Sequence, residues 1–174
     1  VKERLTVRSP AAAALVELRS ACVLGQFDRV RDLLSSFPSL RETLSQPSVS
    51  ELGARVDGLL HAACLRDDAQ QLEVIEFLVG MGADINGLGR IGQTPLIEAC
   101  YNDCLNTAKR LIDLGADVGC VDGQGVNAFE ADGSGIIEAY YESVAARQSI
   151  ARALNEGFGS GSAPGAQKRR GLSL

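Results

Sequence analysis

The amino-acid sequence predicts an all-α repeat protein, in which helix-turn-helix units stack into a solenoid that ends in a C-terminal capping helix. The first observation is that Gly82-Ala83-Asp84 returns 33 residues later as Gly115-Ala116-Asp117, and a fixed period of roughly 20–50 residues is typical of a solenoid. The second is that aromatic residues make up only 5% of the chain and Trp is absent. The core must then be built from Leu, Ile, Val and Ala, which favours close-packed short helices over a β-sandwich.

Three segments align on a leucine near the start of a predicted helix. The segment LIEAC at Leu96–Cys100 matches LHAAC at Leu60–Cys64 and LRSAC at Leu18–Cys22. Each is followed by a second apolar-periodic segment, at residues 27–37, 72–84 and 106–117. The sequence therefore predicts two short helices in every unit.

The third unit shows where its helices begin and end. Thr94 is a good N-cap because its hydroxyl can accept a hydrogen bond from a free amide of the first turn. Pro95 suits the first helical position, where its missing N–H costs nothing. The second helix is predicted from about Leu105 to Leu114, and Gly115 ends it by taking the left-handed conformation.

These segments resemble the ankyrin repeat. The segment GQTPLIEAC at Gly92–Cys100 is similar to the first half of that family's pattern, and LEVIEFLVGMGADIN at Leu72–Asn86 is similar to the second half. The resemblance implies an all-α ankyrin-repeat solenoid of helix-turn-helix units, with loop or β-turn fingers and a C-terminal capping helix. Its predicted divisions are an N-terminal flank at 1–14, repeats at about 15–50, 56–88 and 92–121, a degenerate capping unit at 125–156, and a disordered tail at 157–174.

Charge and hydropathy exclude several classes of partner. Residues 1–156 hold 14 basic and 22 acidic side chains, and such a body repels a phosphate backbone. No apolar run approaches the roughly 20 residues that span a bilayer, and the first residues do not read as a secretory signal. Five Cys, an odd number, do not indicate a disulfide framework. We therefore expect a cytoplasmic protein that binds neither nucleic acid nor membrane.

The residues that could carry chemistry favour structural roles. Cys22, Cys64 and Cys100 occupy the same position of three units, as small buried core residues would. Cys100 and Cys104 have the spacing of a metal pair on a helix, but Cys104 falls in the predicted turn. A catalytic pair would have to use His61, the only histidine, to which the ankyrin resemblance assigns a structural hydrogen bond. We expect no enzymatic activity, cofactor, metal or small-molecule substrate.

Two further motifs are interpreted in the same way. Asp67 and Asp68 could bind a cation, but a solvated charged turn is the preferred interpretation. The segment Gly87-Leu88-Gly89 is similar to part of a phosphate loop, yet the Gly-Lys-Ser/Thr that such a loop requires does not follow. Neither motif predicts a ligand.

The resemblance instead implies a protein-binding surface along the concave face, formed by the loop tips and the exposed sides of the first helices. The candidate contacts are residues that the repeat does not use for packing, and we expect four of them, Arg90, Gln93, Tyr101 and Asn102, to point to solvent. The full set is Leu65, Arg66, Leu88, Arg90, Ile91, Gln93, Tyr101, Asn102, Gln124 and Val126.

The predicted function is a non-enzymatic interaction module, monomeric by itself, that regulates or inhibits a partner protein. The alternative is a stabilising structural subunit of a larger complex.

Overall fold

The helices occur in pairs, as the repeat predicts. A computed structural model of the protein describes residues 10–43, 48–49, 55–56, 58–89 and 91–158. The first helices of the four units are α1 (Pro10–Val23), α3 (Leu59–Ala63), α5 (Pro95–Tyr101) and α7 (Ala128–Asp132). The second helices are α2 (Phe27–Ser36), α4 (Ala69–Gly80), α6 (Leu105–Asp113) and α8 (Ile136–Phe158). The predicted helical repeat fold is confirmed.

The segment between the first two units is the one part of the described chain that contains strands. A 3₁₀ helix at Pro38–Thr43 follows α2, and its Leu40 is buried in the core. Two short antiparallel strands come next, β1 (Ser48–Val49) and β2 (Arg55–Val56), with Ser48 opposite Val56 and Val49 opposite Arg55. This insertion lengthens the spacing of the first two aligned leucines beyond the repeat period.

Neighbouring units contact each other through like helices. Among the first helices, α1 packs on α3, α3 on α5, and α5 on α7. Among the second helices, α2 packs on α4 and α4 on α6. We call the two sides of this arrangement the first-helix face and the second-helix face.

The core consists mainly of aliphatic side chains, as the composition predicts. The largest apolar side chains with almost no exposed surface are Leu18, Val30, Leu34, Val74, Ile75, Leu78, Leu96, Ile97, Leu111 and Ile137. Cys22, Cys64 and Cys100 lie among them and are buried to the same degree. The prediction that this column of thiols packs in the core is confirmed.

The predicted helix boundaries of the third unit are also confirmed. The Thr94 hydroxyl accepts a hydrogen bond from the amide of Ile97 at 3.3 Å, and Pro95 occupies the first turn of α5. The helix α6 ends one residue earlier than predicted, and Gly115 follows it with φ of 96°. Gly82 follows α4 in the same way, with φ of 94°. The helices α4 and α6 are thus both terminated by the glycine of the repeated Gly-Ala-Asp tripeptide, which lies two residues after the last helical residue.

The fourth unit keeps the helix start although its sequence has lost the family pattern. Asn127 replaces threonine as the N-cap, and its side-chain oxygen accepts from the amides of Phe129 at 2.9 Å and Glu130 at 3.0 Å. The Glu130 carboxylate in turn accepts from the Asn127 amide at 3.1 Å. This reciprocal capping box satisfies amides that the first helical turn would otherwise leave unpaired.

The chain divides into two compact units, Val1–Tyr141 and Glu142–Leu174. The helix that the apolar periodicity predicts in this region is confirmed as α8. It begins in the first unit, where Ile137 is fully buried. In the second unit Ile150 and Leu154 of the same helix are 61% and 59% exposed.

The ends of the chain differ slightly from the predicted divisions. The helix α1 begins at Pro10, inside the predicted flank, and α8 extends to Phe158, two residues into the predicted tail. The predicted disorder of residues 159–174 lies outside the described residues. The capping role of α8 stays a prediction. None of the described helices is long and apolar enough to cross a membrane.

Candidate functional site

The candidate contact residues lie in the segments that join one unit to the next and at the ends of first helices. We call residues 84–93 the third finger and residues 117–126 the fourth finger, after the unit that each precedes. Leu88 and Ile91 lie in the third finger, and Gln124 and Val126 lie in the fourth. The remaining contacts, Leu65, Arg66, Tyr101 and Asn102, lie at or just after the ends of α3 and α5. The candidate contact Arg90 lies outside the described residues.

Large apolar side chains are exposed along this surface. Leu65, Leu88, Ile91 and Tyr101 keep 42%, 45%, 54% and 46% of their surface open. Val121, which the sequence analysis missed, is 51% exposed and lies 33 residues after Leu88. The repeat period itself would have identified Val121.

Of the four candidates expected to point to solvent, Tyr101 and Asn102 are exposed, Gln93 is not, and Arg90 lies outside the described residues. Arg66, Asn102 and Gln124 are exposed, as is the ring of Tyr101. Val126 is half-buried. The prediction that Gln93 points to solvent is wrong, because Gln93 is only 5% exposed.

Gln93 is a structural residue of the third finger. Its side-chain oxygen accepts from the amide of Ile91 at 3.1 Å, and its side-chain nitrogen donates to the Glu98 carboxylate at 2.8 Å. Both ends of the buried amide are therefore paired, as a buried polar group requires. Gln93 closes the finger and attaches it to α5.

The structural role predicted for His61 is confirmed. The ring is buried, and its Nε2 lies 3.0 Å from the backbone carbonyl oxygen of Gln93. Because a carbonyl oxygen can only accept, Nε2 carries the proton in this contact. The bond links α3 of the second unit to the third finger.

Tyr101 also supports the fourth finger, a role that the sequence pattern does not indicate. Its hydroxyl donates to Asp122 Oδ2 at 2.9 Å, while Asp122 Oδ1 accepts from the amides of Gln124 at 2.8 Å and Val126 at 3.0 Å. The backbone bond from Val126, with those of the other donors, lowers the pKa of the Asp122 carboxyl. Donation to this carboxylate raises the pKa of the Tyr101 hydroxyl. The fourth finger is therefore organised around an ionised carboxylate joined to α5.

The two fingers contact each other through their backbones. The amide of Gly123 donates to the carbonyl oxygen of Ile91 at 3.1 Å. A Cβ atom at position 123 would lie 2.6 Å from that oxygen, closer than any real contact of this kind. Only glycine therefore allows the fourth finger to approach the third this closely.

Comparison with protein families decides the assignment. A family model described as ankyrin repeats, in three copies, matches residues 18–122. The chain belongs to the ankyrin repeat family. Ankyrin repeats are generally protein–protein interaction modules and are typically not enzymes. The search of curated proteins finds no match to this chain.

In this ankyrin repeat protein, Asp67 and Asp68 are not a solvated turn, and that interpretation is wrong. Asp68 accepts from the amide of Gln71 at 2.9 Å and caps α4 of its own unit. Asp67 accepts from the amides of Asn106 at 3.2 Å and Thr107 at 2.7 Å, and so caps α6 of the following unit. Amides at a helix N-terminus have no partner within the helix, so Asp67 stabilises the contact between the two units.

Four of the five cysteine thiols of this ankyrin repeat protein are buried. Burial raises the pKa of the Cys22 and Cys100 thiols to about 12, and it raises the pKa of Cys64 well above the ordinary value. Cys104 is buried at the start of α6, and Cys120 is half-buried in the fourth finger. Within the described ranges, no group of three or more His, Cys, Asp and Glu side chains could hold a metal ion.

We expect Cys120 to react first when the native protein is treated with a thiol reagent. Alkylation requires an accessible thiolate, and Cys22, Cys64 and Cys100 are enclosed by neighbouring helices. A time course with iodoacetamide, followed by peptide mass spectrometry, measures each rate. In urea all the thiols should react at similar rates. Equal rates for Cys120 and the buried column in native buffer would contradict the packing described above.

Proposed function

We propose that this ankyrin repeat protein is a small regulator or inhibitor that binds a partner protein. The binding surface is its concave face, formed by the first-helix face and the finger tips. The observation that supports this most directly is the exposure of Leu65, Leu88, Ile91 and Tyr101 on segments held by polar contacts. Backbone segments already held in place lose little conformational entropy on binding, which favours affinity.

The proposal does not involve catalysis. The His61 ring is used in the contact with the third finger. With pKa values of about 12, the Cys22 and Cys100 thiols are protonated at neutral pH and are poor nucleophiles. We also propose that the protein acts in the reducing cytoplasm, where buried free thiols persist, and that it is monomeric without its partner.

A double substitution in the third finger tests the proposal. Leu88→Ser with Ile91→Ser should weaken binding at least about thirtyfold, because truncation of an interface anchor typically costs 2 kcal/mol or more. The free energy of unfolding should change by about 0.5 kcal/mol or less per site, as is usual at exposed positions. The partner is captured from the native source and identified by mass spectrometry, and its affinity is then measured by calorimetry.

The matched control is Ile150→Ser with Leu154→Ser, which removes two equally exposed apolar side chains from α8. This pair should bind the partner as the unaltered protein does. Loss of binding in the control and not in the finger variant would place the interface elsewhere. A partner that remains bound in stoichiometric amount through high salt and cannot be exchanged would instead support a structural subunit.

A further inference from the structure

A hollow of about 530 Å³ lies on the second-helix face, between α2 and α4. Its lining residues are Phe27, Glu73, Glu76 and Phe77. The two phenylalanine rings are both partly buried, and they meet edge to face with 5.4 Å between their centres. The hollow therefore combines an aromatic pair with two carboxylates.

The two carboxylates differ in what they already bind. Glu76 Oε1 accepts from Arg110 Nε at 2.8 Å, so its charge is largely compensated. Glu73 is exposed and forms no hydrogen bond or ion pair with another described residue. The hollow thus presents one uncompensated carboxylate directly beside the aromatic pair.

One ring of the pair, Phe27, already has a guanidinium of its own helix over it. The guanidinium carbon of Arg31 lies 5.8 Å from the centre of the Phe27 ring, while its nitrogen pairs with Asp28 at 3.0 Å. A guanidinium over a ring face and beside a carboxylate is a favourable arrangement. Glu73 and Phe77 both line the hollow, and no cation of the described residues lies over the Phe77 ring.

We propose that the hollow is a second docking site, which takes an arginine side chain of a partner protein. The stem of that arginine would lie along Phe77, the ring of the pair over which no described cation lies, and its guanidinium would bind Glu73. An apolar segment fits less well, because it would remove the Glu73 carboxylate from water without a partner. The excess of acidic side chains over residues 1–156, 22 against 14 basic, also attracts a cationic partner.

Arginine is favoured over lysine for a geometric reason. The planar guanidinium can stack on a ring and at the same time donate two parallel hydrogen bonds to a carboxylate, whereas an ammonium is a compact, strongly hydrated charge. This site does not depend on the fingers. A failure of the proposed concave-face interface would leave it unaffected, and the two proposals are tested by different variants.

The test uses N-acetyl-arginine methylamide as the probe and the uncharged N-acetyl-citrulline methylamide as its counterpart. Each is titrated into the full-length ¹⁵N-labelled protein, and amide shifts are followed by NMR. The arginine probe should shift amides near Phe27, Glu73 and Phe77 and approach saturation only above about 10 mM, because one exposed ion pair with a cation–π contact binds weakly. The citrulline probe should produce no saturable shift.

Two variants and a matched control complete the experiment. Glu73→Gln should weaken arginine binding about threefold, the scale of an exposed ion pair, and Phe77→Leu should weaken it while keeping an apolar side chain. Glu138→Gln removes another exposed carboxylate, in α8, and should bind as the unaltered protein does. Equal affinity in Glu73→Gln and the control, or shifts spread evenly over the acidic surface, would overturn the proposal.

Discussion

Leu96→Ala is expected to lower the free energy of unfolding by about 2–5 kcal/mol, the range for truncation of a fully buried leucine. Leu96 has no exposed surface, and its helix α5 packs against both α3 and α7. The cavity would therefore lie where three consecutive units meet. Urea denaturation followed by far-UV circular dichroism measures the loss.

The same chain offers a matched control for this change. Leu88→Ala removes the same atoms from a leucine that is 45% exposed in the third finger. It should change the free energy of unfolding by about 0.5 kcal/mol or less. Equal losses for the two variants would show that Leu96 does not contribute to the core between the units.

Gly123→Ala is expected to lower the free energy of unfolding by about 1–3 kcal/mol, the usual cost of inserting a methyl group where there is no space. The added Cβ would lie 2.6 Å from the backbone oxygen of Ile91. That atom belongs to the backbone, so the fingers must separate and the Gly123–Ile91 hydrogen bond must lengthen or break. Thermal unfolding and urea denaturation both report this loss.

Gly80→Ala is the corresponding control. Gly80 is the last residue of α4, and a Cβ atom there meets no atom within 4 Å. Alanine is the better helix former, so this change should be neutral or stabilise the protein by up to about 1 kcal/mol. If Gly123→Ala changed the free energy of unfolding as little as Gly80→Ala, the result would contradict the close approach of Gly123 to the backbone of Ile91.

The polar contacts of the fingers connect stability to the proposed function. Gln93 and Asp122 each hold the backbone of one finger and bond to a residue of α5, Glu98 and Tyr101 respectively. The exposed apolar side chains therefore lie on backbone segments whose conformation is fixed by these hydrogen bonds. Variants that loosen a finger should weaken partner binding even where no contact residue is changed.

The repeat unit, the start of α5 and the end of α6 were determined by the sequence alone. Thr94 caps α5 through an amide three residues away, and Gly115 ends α6 by its own φ angle. Such signals act within one turn of the chain, so they can be identified before the fold is known. Burial of the Cys22, Cys64 and Cys100 column follows as well, because equivalent residues of a repeat take equivalent places in the stack.

Only the tertiary structure decided which polar and aromatic residues meet across units. Asp67 caps a helix 40 residues away, and Tyr101 bonds to a carboxylate 21 residues away. The burial of Gln93 and the meeting of Phe27 with Phe77 likewise depend on how neighbouring units pack. A side chain at the edge of a repeat can face solvent or the next unit, and local sequence does not distinguish these outcomes. The distance between units and the shape of each finger decide between them, and both arise only when the units stack.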